Sequence, residues 1–510
     1  MLAKVHSFGL SGLDTFAVNI EVDASRGLPG TKIVGLPDNA VKESKERVRA
    51  AIRNSGYEYK SQRITVNLSP ADIKKEGPAY DLAIALGILA ASGQIPLEPL
   101  KDYVILGELS LDGKIRPIRG SLPIALSLTK NEFKGLILPK ANAQEAALAQ
   151  DVAIYPVEKL AEVVHFLLNP ETISRYPSDV TQHLNQANSY PIDFSDVKGQ
   201  LSVKRGLEVA AAGSHNCLMI GPPGSGKTML AKRIPTILPN LSMEEALEIT
   251  KIHSVMGLAH QNNGLIVQRP FRSPHHTSSH ASFVGGGSIP KPGEITLSHN
   301  GVLFLDELPE FNRNVLESLR QPLEDHQVTI ARTVKVSRFP AQFMLIASMN
   351  PCPCGYYLNP RRNCQCSSPQ IQRYLSKISG PLLDRIDIHI EVPALSPNEL
   401  FQTLPQETSA QIKERISFAR EAQKQRFKNS LIFANAFMDQ KSLKAHCKLK
   451  PESETLLKQA LTELHLSARA NDKILKVART VADLAGKIEI SPEHIAEAIQ
   501  YRSLDRNWWG

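Results

Sequence analysis

No apolar run in the 510 residues approaches the length of a membrane span, about 20 residues. The first 16 residues, MLAKVHSFGLSGLDTF, hold no apolar core of the kind a secretory signal needs. These two absences make the cytoplasm the expected location. Cysteine is scarce as well: six in the whole chain, with Cys217 and Cys447 standing alone as buried core thiols and four crowded into one short segment. A reducing cytosol disfavours structural disulfides among them. Neither sign of charge dominates. With 59 Lys and Arg against 51 Asp and Glu the net charge is +8, which fits a polyanion partner and equally a mildly basic protein with none. Charged residues at 22% and apolar residues at 42% describe a soluble globular chain, long enough for about three domains.

What the chain does carry is organised around Gly221-Pro222-Pro223-Gly224-Ser225-Gly226-Lys227-Thr228, a match to G-x-x-x-x-G-K-[ST]. The apolar run Cys217-Leu218-Met219-Ile220 leads in, and the helix-compatible run Met229-Leu230-Ala231-Lys232-Arg233-Ile234 leads out. Strand, glycine loop and helix in that order are the context a phosphate-cradling P-loop needs. The glycines let the backbone wrap closely and aim N–H groups at phosphate oxygens. Lys227 reaches the outer phosphates, Thr228 ligates Mg²⁺, and the helix that follows offers its anion-attracting end. The competing reading, a glycine-rich surface turn, has no use for the flanking strand and helix.

Further phosphate chemistry follows in Gly301-Val302-Leu303-Phe304-Leu305-Asp306-Glu307-Leu308. Four apolar residues in a row suit a strand buried on both faces of a parallel sheet. Two acids stand at its carboxyl end, where α/β folds place ligands. Asp306 holds Mg²⁺ in this reading, and Glu307 orients and deprotonates the attacking water. Phe343-Met344-Leu345-Ile346-Ala347 is a third buried strand, ending at Ser348-Met349-Asn350, where an amide can position the water and sense the γ-phosphate. A fourth strand runs through Ile386, Ile388, Ile390 and Val392. Arg385, just before it, is a candidate arginine finger for a neighbouring subunit's site; a surface salt bridge is the alternative. Phe194 and Val197 either border an adenine pocket or staple the core.

Residues 1–168 read as a mixed α/β domain. Phe16, Val18, Ile20 and Val22 alternate as a half-buried strand, and Ile64, Val66 and Leu68 mark another. A helix is expected over residues 38–53 with Asp38 as its N-cap, a second over 80–91, and a hairpin over 103–117 turning at Asp112-Gly113. Two stretches of this domain, Lys75-Glu76-Gly77-Pro78-Ala79-Tyr80-Asp81 and the run from Gly107-Glu108-Leu109-Ser110 to Arg116-Pro117-Ile118-Arg119-Gly120, resemble the proteolytic domain of Lon. In that family a nucleophilic Ser follows the Gly-Pro, and a general-base Lys lies just past the second stretch. Here those positions are Ala79 and Leu122. A Ser–Lys dyad needs a hydroxyl to attack and an amine to take its proton, so the resemblance implies a Lon-like fold without Lon chemistry. Residues 169–192, polar and broken by Pro170, Pro177 and Pro191, read as a linker.

P-loop, acid pair, Asn350 and Arg385 in this order resemble AAA+ ATPases, with residues 193–395 as the core and 396–510 as a helical lid. Ile474, Val477, Ala478, Val481, Leu484 and Ala485 hold a helical stripe, and Ser491-Pro492 opens the last helix. Arg469 is then the lid arginine expected on the γ-phosphate, with Arg479 as fallback. A finer resemblance rests on Phe271-Arg272-Ser273-Pro274-His275-His276-Thr277, Val284-Gly285-Gly286-Gly287 and Pro292-Gly293-Glu294-Ile295, leading into the stretch that begins at Gly301. These look like the ComM/YifB family of magnesium-chelatase-like ATPases. The resemblance covers essentially the whole chain. The fold class it implies is α/β: an inactive Lon-protease-like domain, a P-loop AAA+ α/β/α core and a helical lid. It also implies a homo-hexameric ring, driven by ATP with Mg²⁺, that promotes branch migration of single-stranded and branched DNA in transformation or related recombination. "Chelatase" describes the ATPase module alone, since no porphyrin-handling part is visible. The alternative function is an ATPase that remodels a protein complex, with DNA incidental.

For DNA, two pore-loop stretches qualify: the glycine-tipped insertion over residues 271–287, and a hairpin over 328–338 carrying Arg332, Lys335 and Arg338. Its cations can track a phosphate backbone without reading bases; a solvated charged hairpin is the bland alternative. His275 and His276 read as structural or hydrogen-bonding residues, and Trp508 and Trp509 as a packed or frayed tail. Cys352, Cys354, Cys364 and Cys366, in C-x-C-x₉-C-x-C, allow three readings: a structural Cys₄ zinc site, reduced thiols, or redox behaviour.

Overall fold

The computed structural model describes the chain except residues 129–131, 178–189, 260–263, 288–289, 332–335, 358, 360–361, 396–405, 429, 431, 465 and 503–510. Half of the expected linker, together with Arg332, Lys335, Trp508 and Trp509, therefore lies outside the described residues. The chain forms two compact units. Among the described residues no helix is long and apolar enough to cross a membrane.

The first unit comprises Met1–Ala187 together with Ser242–Val267 and Gly287–Lys291. Its seven-stranded mixed sheet runs in the order Gly30–Val34, Arg63–Ser69, Asp14–Ser25, Leu2–Ser11, Tyr103–Ile105, Gly135–Pro139, Ile154–Val157. The alternation expected around Phe16 and Val22 falls inside Asp14–Ser25, where Val18, Ile20 and Val22 are fully buried. Asp38 caps the helix Asn39–Asn54 by accepting from the Val41 amide at 2.8 Å, an arrangement worth about 1 kcal/mol. All eleven residues of the helix Asp81–Ala91 are buried, as expected of a helix apolar on every side. It lies against the strands Leu2–Ser11 and Asp14–Ser25. Gly87 makes that approach possible: a Cβ there would stand 2.7 Å from Val22 Cγ2.

The hairpin expected over residues 103–117 is shorter than its sequence suggests. Tyr103–Ile105 joins the large sheet, parallel to Gly135–Pro139, and only Glu108–Leu109 and Ile115–Arg116 pair as a hairpin. Tyr103, Val104 and Ile105 are all buried, so this segment has two apolar faces to cover, which an interior strand does and a surface hairpin does not. The Lon-like positions are ordered. Ala79 sits in the turn Pro78–Tyr80, and Leu122 is fully buried on the helix Ser121–Ser127. The helix Met243–Val255 belongs to this unit as well and packs on Ser121–Ser127, with the Gly120 amide donating to the Ser254 carbonyl at 3.1 Å.

The second unit comprises Asn188–Leu241, Gln268–Gly286 and Pro292–Gly510. Its five-stranded sheet is parallel in the order Phe271–Arg272, Val302–Leu305, Met344–Met349, Cys217–Ile220, Ile388–Glu391. The three central strands are buried along their whole length, which is why their sequences are apolar throughout but for Ser348. Phe194 and Val197 are fully buried in this core, the core-staple arrangement. The helices Ser409–Arg426, Gln440–His446, Pro451–Glu463, Ala468–Leu484 and Pro492–Gln500 make up the carboxyl-terminal region. Two of them, Ser409–Arg426 and Ala468–Leu484, pack on the helix Leu201–Gly213.

Asp387 ties sheet to lid. Its carboxylate accepts from the Asn216 amide at 3.2 Å and pairs with Lys473 at 3.3 Å, with His215 at 3.5 Å. Burial opposes the charge, but Lys473 and His215 hold the carboxyl well below the usual range. Its contribution to stability is therefore complete above the unfolded value of about 3.9 and is lost as pH falls toward the folded one. Asp387→Asn is expected to cost about 3–5 kcal/mol at neutral pH, because the buried Lys473 loses its ion-pair partner. Thermal unfolding across pH measures this; a variant as stable as wild type at pH 7 contradicts it.

Candidate active site

Register brings the chemistry together. Ile220 pairs with Met349, and Leu305 with Ala347. The residues that follow these strand ends, Gly221, Asp306 and Asn350, consequently emerge at one edge of the sheet. Gly224 and Gly226 take φ of 77° and 89°, backbone that an L side chain rarely adopts. This lets the loop double back on the helix Lys227–Ile237, whose first-turn amides have no intrahelical partner. Ser225 Oγ is buried beside them with no hydrogen-bond partner among the described residues. Donors of this kind fit a chain of phosphate oxygens.

Lys227 donates to the Gly221 and Pro222 carbonyls at 2.7 and 2.9 Å and to Asn350 Oδ1 at 3.2 Å. Burial pulls its ammonium down to about 8, against the opposing pull of Asp306 and Glu307. In the free site its charge is complete below that pH and lost above it. ATP affinity is thus expected to be constant up to about pH 8 and to fall toward tenfold per unit beyond, with proton uptake on binding. A titration of Kd from about pH 7 to about 9 tests it; a flat profile contradicts it.

Thr228 Oγ1 donates to Asp306 Oδ2 at 2.6 Å, and Ser348 Oγ donates to the other oxygen of the same carboxylate. A hydroxyl and a carboxylate side by side next to a phosphate cradle are a donor set for Mg²⁺. Glu307 sits at φ 54°, ψ 49°, a left-handed backbone that costs a non-glycine residue about 1–3 kcal/mol and is typical of working sites. Its carboxylate is more than half exposed and lies 3.8 Å from His276 Nδ1. His275 bonds Thr277 at 2.9 Å and its ring lies 4.1 Å from that of His276.

The two arginines are held elsewhere. Arg385 pairs with Glu324 and donates to the Pro381 carbonyl at 2.6 Å. Arg469, largely exposed in the first turn of Ala468–Leu484, pairs at 3.3 Å with Asp384, the residue before Arg385. Among the described residues neither pairs with a P-loop residue. Arg479 is buried and spent on Asp483 and the Lys487 and Ile488 carbonyls, so it belongs to the lid's own packing. On the hairpin Gln327–Ala331 with Val336–Pro340, Val328, Ile330, Ser337 and Phe339 face inward while Arg338 is exposed.

The four clustered cysteines converge, all Sγ atoms within 4.8 Å of one another. Burial disfavours the Cys354 thiolate, but the Gln365 and Tyr356 amides and two neighbouring thiols outweigh it and hold Cys354 at about 6. Cys364, despite the Cys366 amide, is pushed up to about 12 by burial and by Cys354 and Cys352. Without a cation, Cys354 and Cys364 do not both ionise near neutral pH.

Ser348 and Asp384 were not singled out by sequence. For Ser348 a signal existed: on a strand, residues two apart share a face, and Ser348 lies two before Asn350.

Parallel strands that deliver a P-loop, an acid pair and an amide to one edge, with helices behind them, are how AAA+ ATPases are built. Residues 193–400 match the family described as magnesium chelatase, subunit ChlI; residues 20–142 match subunit ChlI of Mg-chelatase, and residues 406–502 its C-terminal family. Among relatives, the chain is 45% identical over 507 residues to competence protein ComM of Haemophilus influenzae, covering 99% of this chain and 98% of that one. It is equally similar, with the same coverage, to YifB of Escherichia coli. A Lon protease of Trichlorobacter lovleyi is 28% identical over 163 residues, 30% of this chain and 20% of the protease. The chain belongs to the ComM/YifB family of magnesium-chelatase-like AAA+ ATPases.

Proposed function

We propose that this protein is an ATP-hydrolysing motor that acts as a homo-hexameric ring on single-stranded and branched DNA in the cytoplasm, moving the junctions of recombination intermediates. The observation that carries the reading is the convergence of Lys227, Thr228, Asp306, Glu307 and Asn350 on one sheet edge. In this reading the P-loop residues Gly221 to Thr228 hold the nucleotide. Thr228 and Asp306 hold Mg²⁺, which supplies neutralisation of phosphate charge. Glu307 takes the proton of the attacking water, and Asn350 orients it.

Arg385 and Arg469 share one small region around Asp384, bonded to carboxylates and to no P-loop residue. That supports a role toward a neighbouring subunit's nucleotide, and hence a ring. In this reading Arg469, expected on the γ-phosphate, reaches that of the neighbouring subunit together with Arg385. Arg338 on its hairpin, with Arg332 and Lys335 between the two strands in sequence, is assigned to DNA phosphates. One structural zinc is assigned to Cys352, Cys354, Cys364 and Cys366. The competence named for the Haemophilus influenzae relative supports natural transformation as the setting.

The test is ATP turnover with and without single-stranded DNA. DNA is expected to stimulate it. Replacing Arg332, Lys335 and Arg338 together with Ala is expected to remove the stimulation and spare DNA-free turnover. The same change is expected to flatten the log–log salt dependence of DNA binding by about 0.7 for each phosphate no longer neutralised. Turnover indifferent to DNA would favour a protein-remodelling ATPase instead.

A further inference from the structure

The four-cysteine loop lies against the nucleotide site, and its position there is more specific than stapling a surface loop would require. Asn350 ends the central strand Met344–Met349, and the fully buried Cys352 follows two residues later. The Asn350 side chain takes a hydrogen bond from Lys227, and its backbone amide faces the Tyr374 hydroxyl. Tyr374 stands on the helix Ser368–Leu375, which starts two residues after Cys366. The loop thus leaves one anchor of Asn350 and returns to another. Between them, Gly355 at φ 83° rests on the P-loop itself: a Cβ there would meet Pro223 Cδ at 2.5 Å and Cγ at 3.1 Å. Gly355 therefore touches the backbone that wraps the phosphates, between Asn350 and the helix that brings Tyr374 back to it.

The sulfurs are arranged for a metal. Cys352, Cys354 and Cys364 stand 3.4 to 3.6 Å apart. A tetrahedron of zinc–sulfur bonds of about 2.3 Å has edges of about 3.8 Å, so a small outward adjustment of the thiols accommodates the ion. The Tyr357 amide donates to Cys352 Sγ at 3.3 Å and the Cys366 amide to Cys364 Sγ at 3.4 Å, which stabilises thiolate sulfur as ligand. All four positions are protein, so no open site for catalysis remains.

We propose that this loop is a metal-dependent brace of the ATPase site: one zinc-class ion on Cys352, Cys354, Cys364 and Cys366 keeps Asn350 and Pro223 in place, so that ATP turnover requires the metal although the metal touches no nucleotide. The proposal rests on the reading of the site as an ATPase and adds a second metal dependence to it. The cysteines are positioning residues here and act through Asn350 and the P-loop.

The experiment uses the full-length protein. The metal released on thiol modification is counted per chain, and cobalt-loaded protein is examined for the visible bands of a tetrahedral cobalt–thiolate site. The expected content is one ion per chain. Removing the cysteine-bound ion by chelation, then dialysing away the chelator and restoring Mg²⁺, is expected to lower ATP turnover about tenfold to 100-fold, the scale on which small misplacements act, with a much smaller change in the affinity of a fluorescent ATP analogue and recovery on adding zinc. Cys364→Ser with Cys366→Ser is expected to reproduce the loss. Gly355→Ala separates bracing from folding: it is expected to keep the cobalt spectrum while losing turnover, because its methyl group displaces Pro223. Should the metal-free chain unfold, that variant decides alone. Absence of bound metal, full turnover by folded metal-free protein, or full turnover by Gly355→Ala with its metal retained each overturns the proposal. A metal-loaded wild type that hydrolyses no ATP overturns the ATPase reading and the brace with it, while the metal count would still stand.

Discussion

Glu307→Gln is expected to bind ATP as wild type does and to lose turnover by about 10²- to 10⁴-fold, the range a positioned general base supplies. The expectation follows from what the residue does and does not touch. The contacts that would hold nucleotide are made by Lys227, Thr228 and the P-loop backbone, and Asp306 is engaged by Thr228 and Ser348. The Glu307 carboxylate bonds none of these groups; only its backbone amide reaches Asp306, at 3.1 Å. It stands on left-handed backbone just past the strand, exposed, with His276 3.8 Å away. Replacing one carboxylate oxygen by an amide keeps the shape and removes the basicity, so binding survives and proton transfer does not. The loss corresponds to about 3–5 kcal/mol in the barrier. Single-turnover kinetics with a fluorescent ATP analogue separate the two effects. Ordinary turnover in the variant would remove Glu307 as the base.

Arg385→Ala is expected to show a similar separation through a different route. A guanidinium supplied to transferring phosphate from outside its own site is worth about 10³- to 10⁵-fold in turnover. In the single chain Arg385 is bonded to Glu324 and the Pro381 carbonyl, so delivery to a neighbour requires exchanging a carboxylate for a phosphate. The variant is therefore expected to retain ATP affinity and lose hydrolysis. Mixed with Glu307→Gln, it is expected to regain part of its activity, since an interface that pairs an intact Glu307 with an intact Arg385 then exists. No recovery at any mixing ratio, or an Arg385→Ala protein with full turnover, would reduce Arg385 to the salt bridge it makes with Glu324.

The parts of the fold legible in sequence were those governed by local chemistry. An eight-residue loop with glycines where φ is positive announces itself, as do buried strands whose faces are all apolar and a carboxylate cap such as Asp38. Register was not legible, yet the candidate site depends on it. That Ile220 aligns with Met349, and Leu305 with Ala347, is what sets Asp306 beside Thr228 and Asn350 beside Lys227. The hairpin expected over residues 103–117 was overextended because a segment buried on both faces looks, by turn chemistry alone, like the first arm of the turn that follows. The partners of the arginines were hidden for the same reason. Nothing in sequence says that Glu324 lies opposite Arg385, or that Asp384 faces a lid helix 85 residues later. The contact of Gly355 with Pro223 joins two loops more than a hundred residues apart, and a glycine in a cysteine loop has many other reasons to be there.

The central claim, an ATP-driven motor on branched DNA, is tested most directly by strand release from a fluorescent four-way junction, with ATP, comparing wild type and Lys227→Ala. The account predicts release by wild type alone, and no release by wild type when ATP is replaced by an analogue that is not hydrolysed. Intact ATP hydrolysis with no junction processing, or equal release by Lys227→Ala, would contradict it.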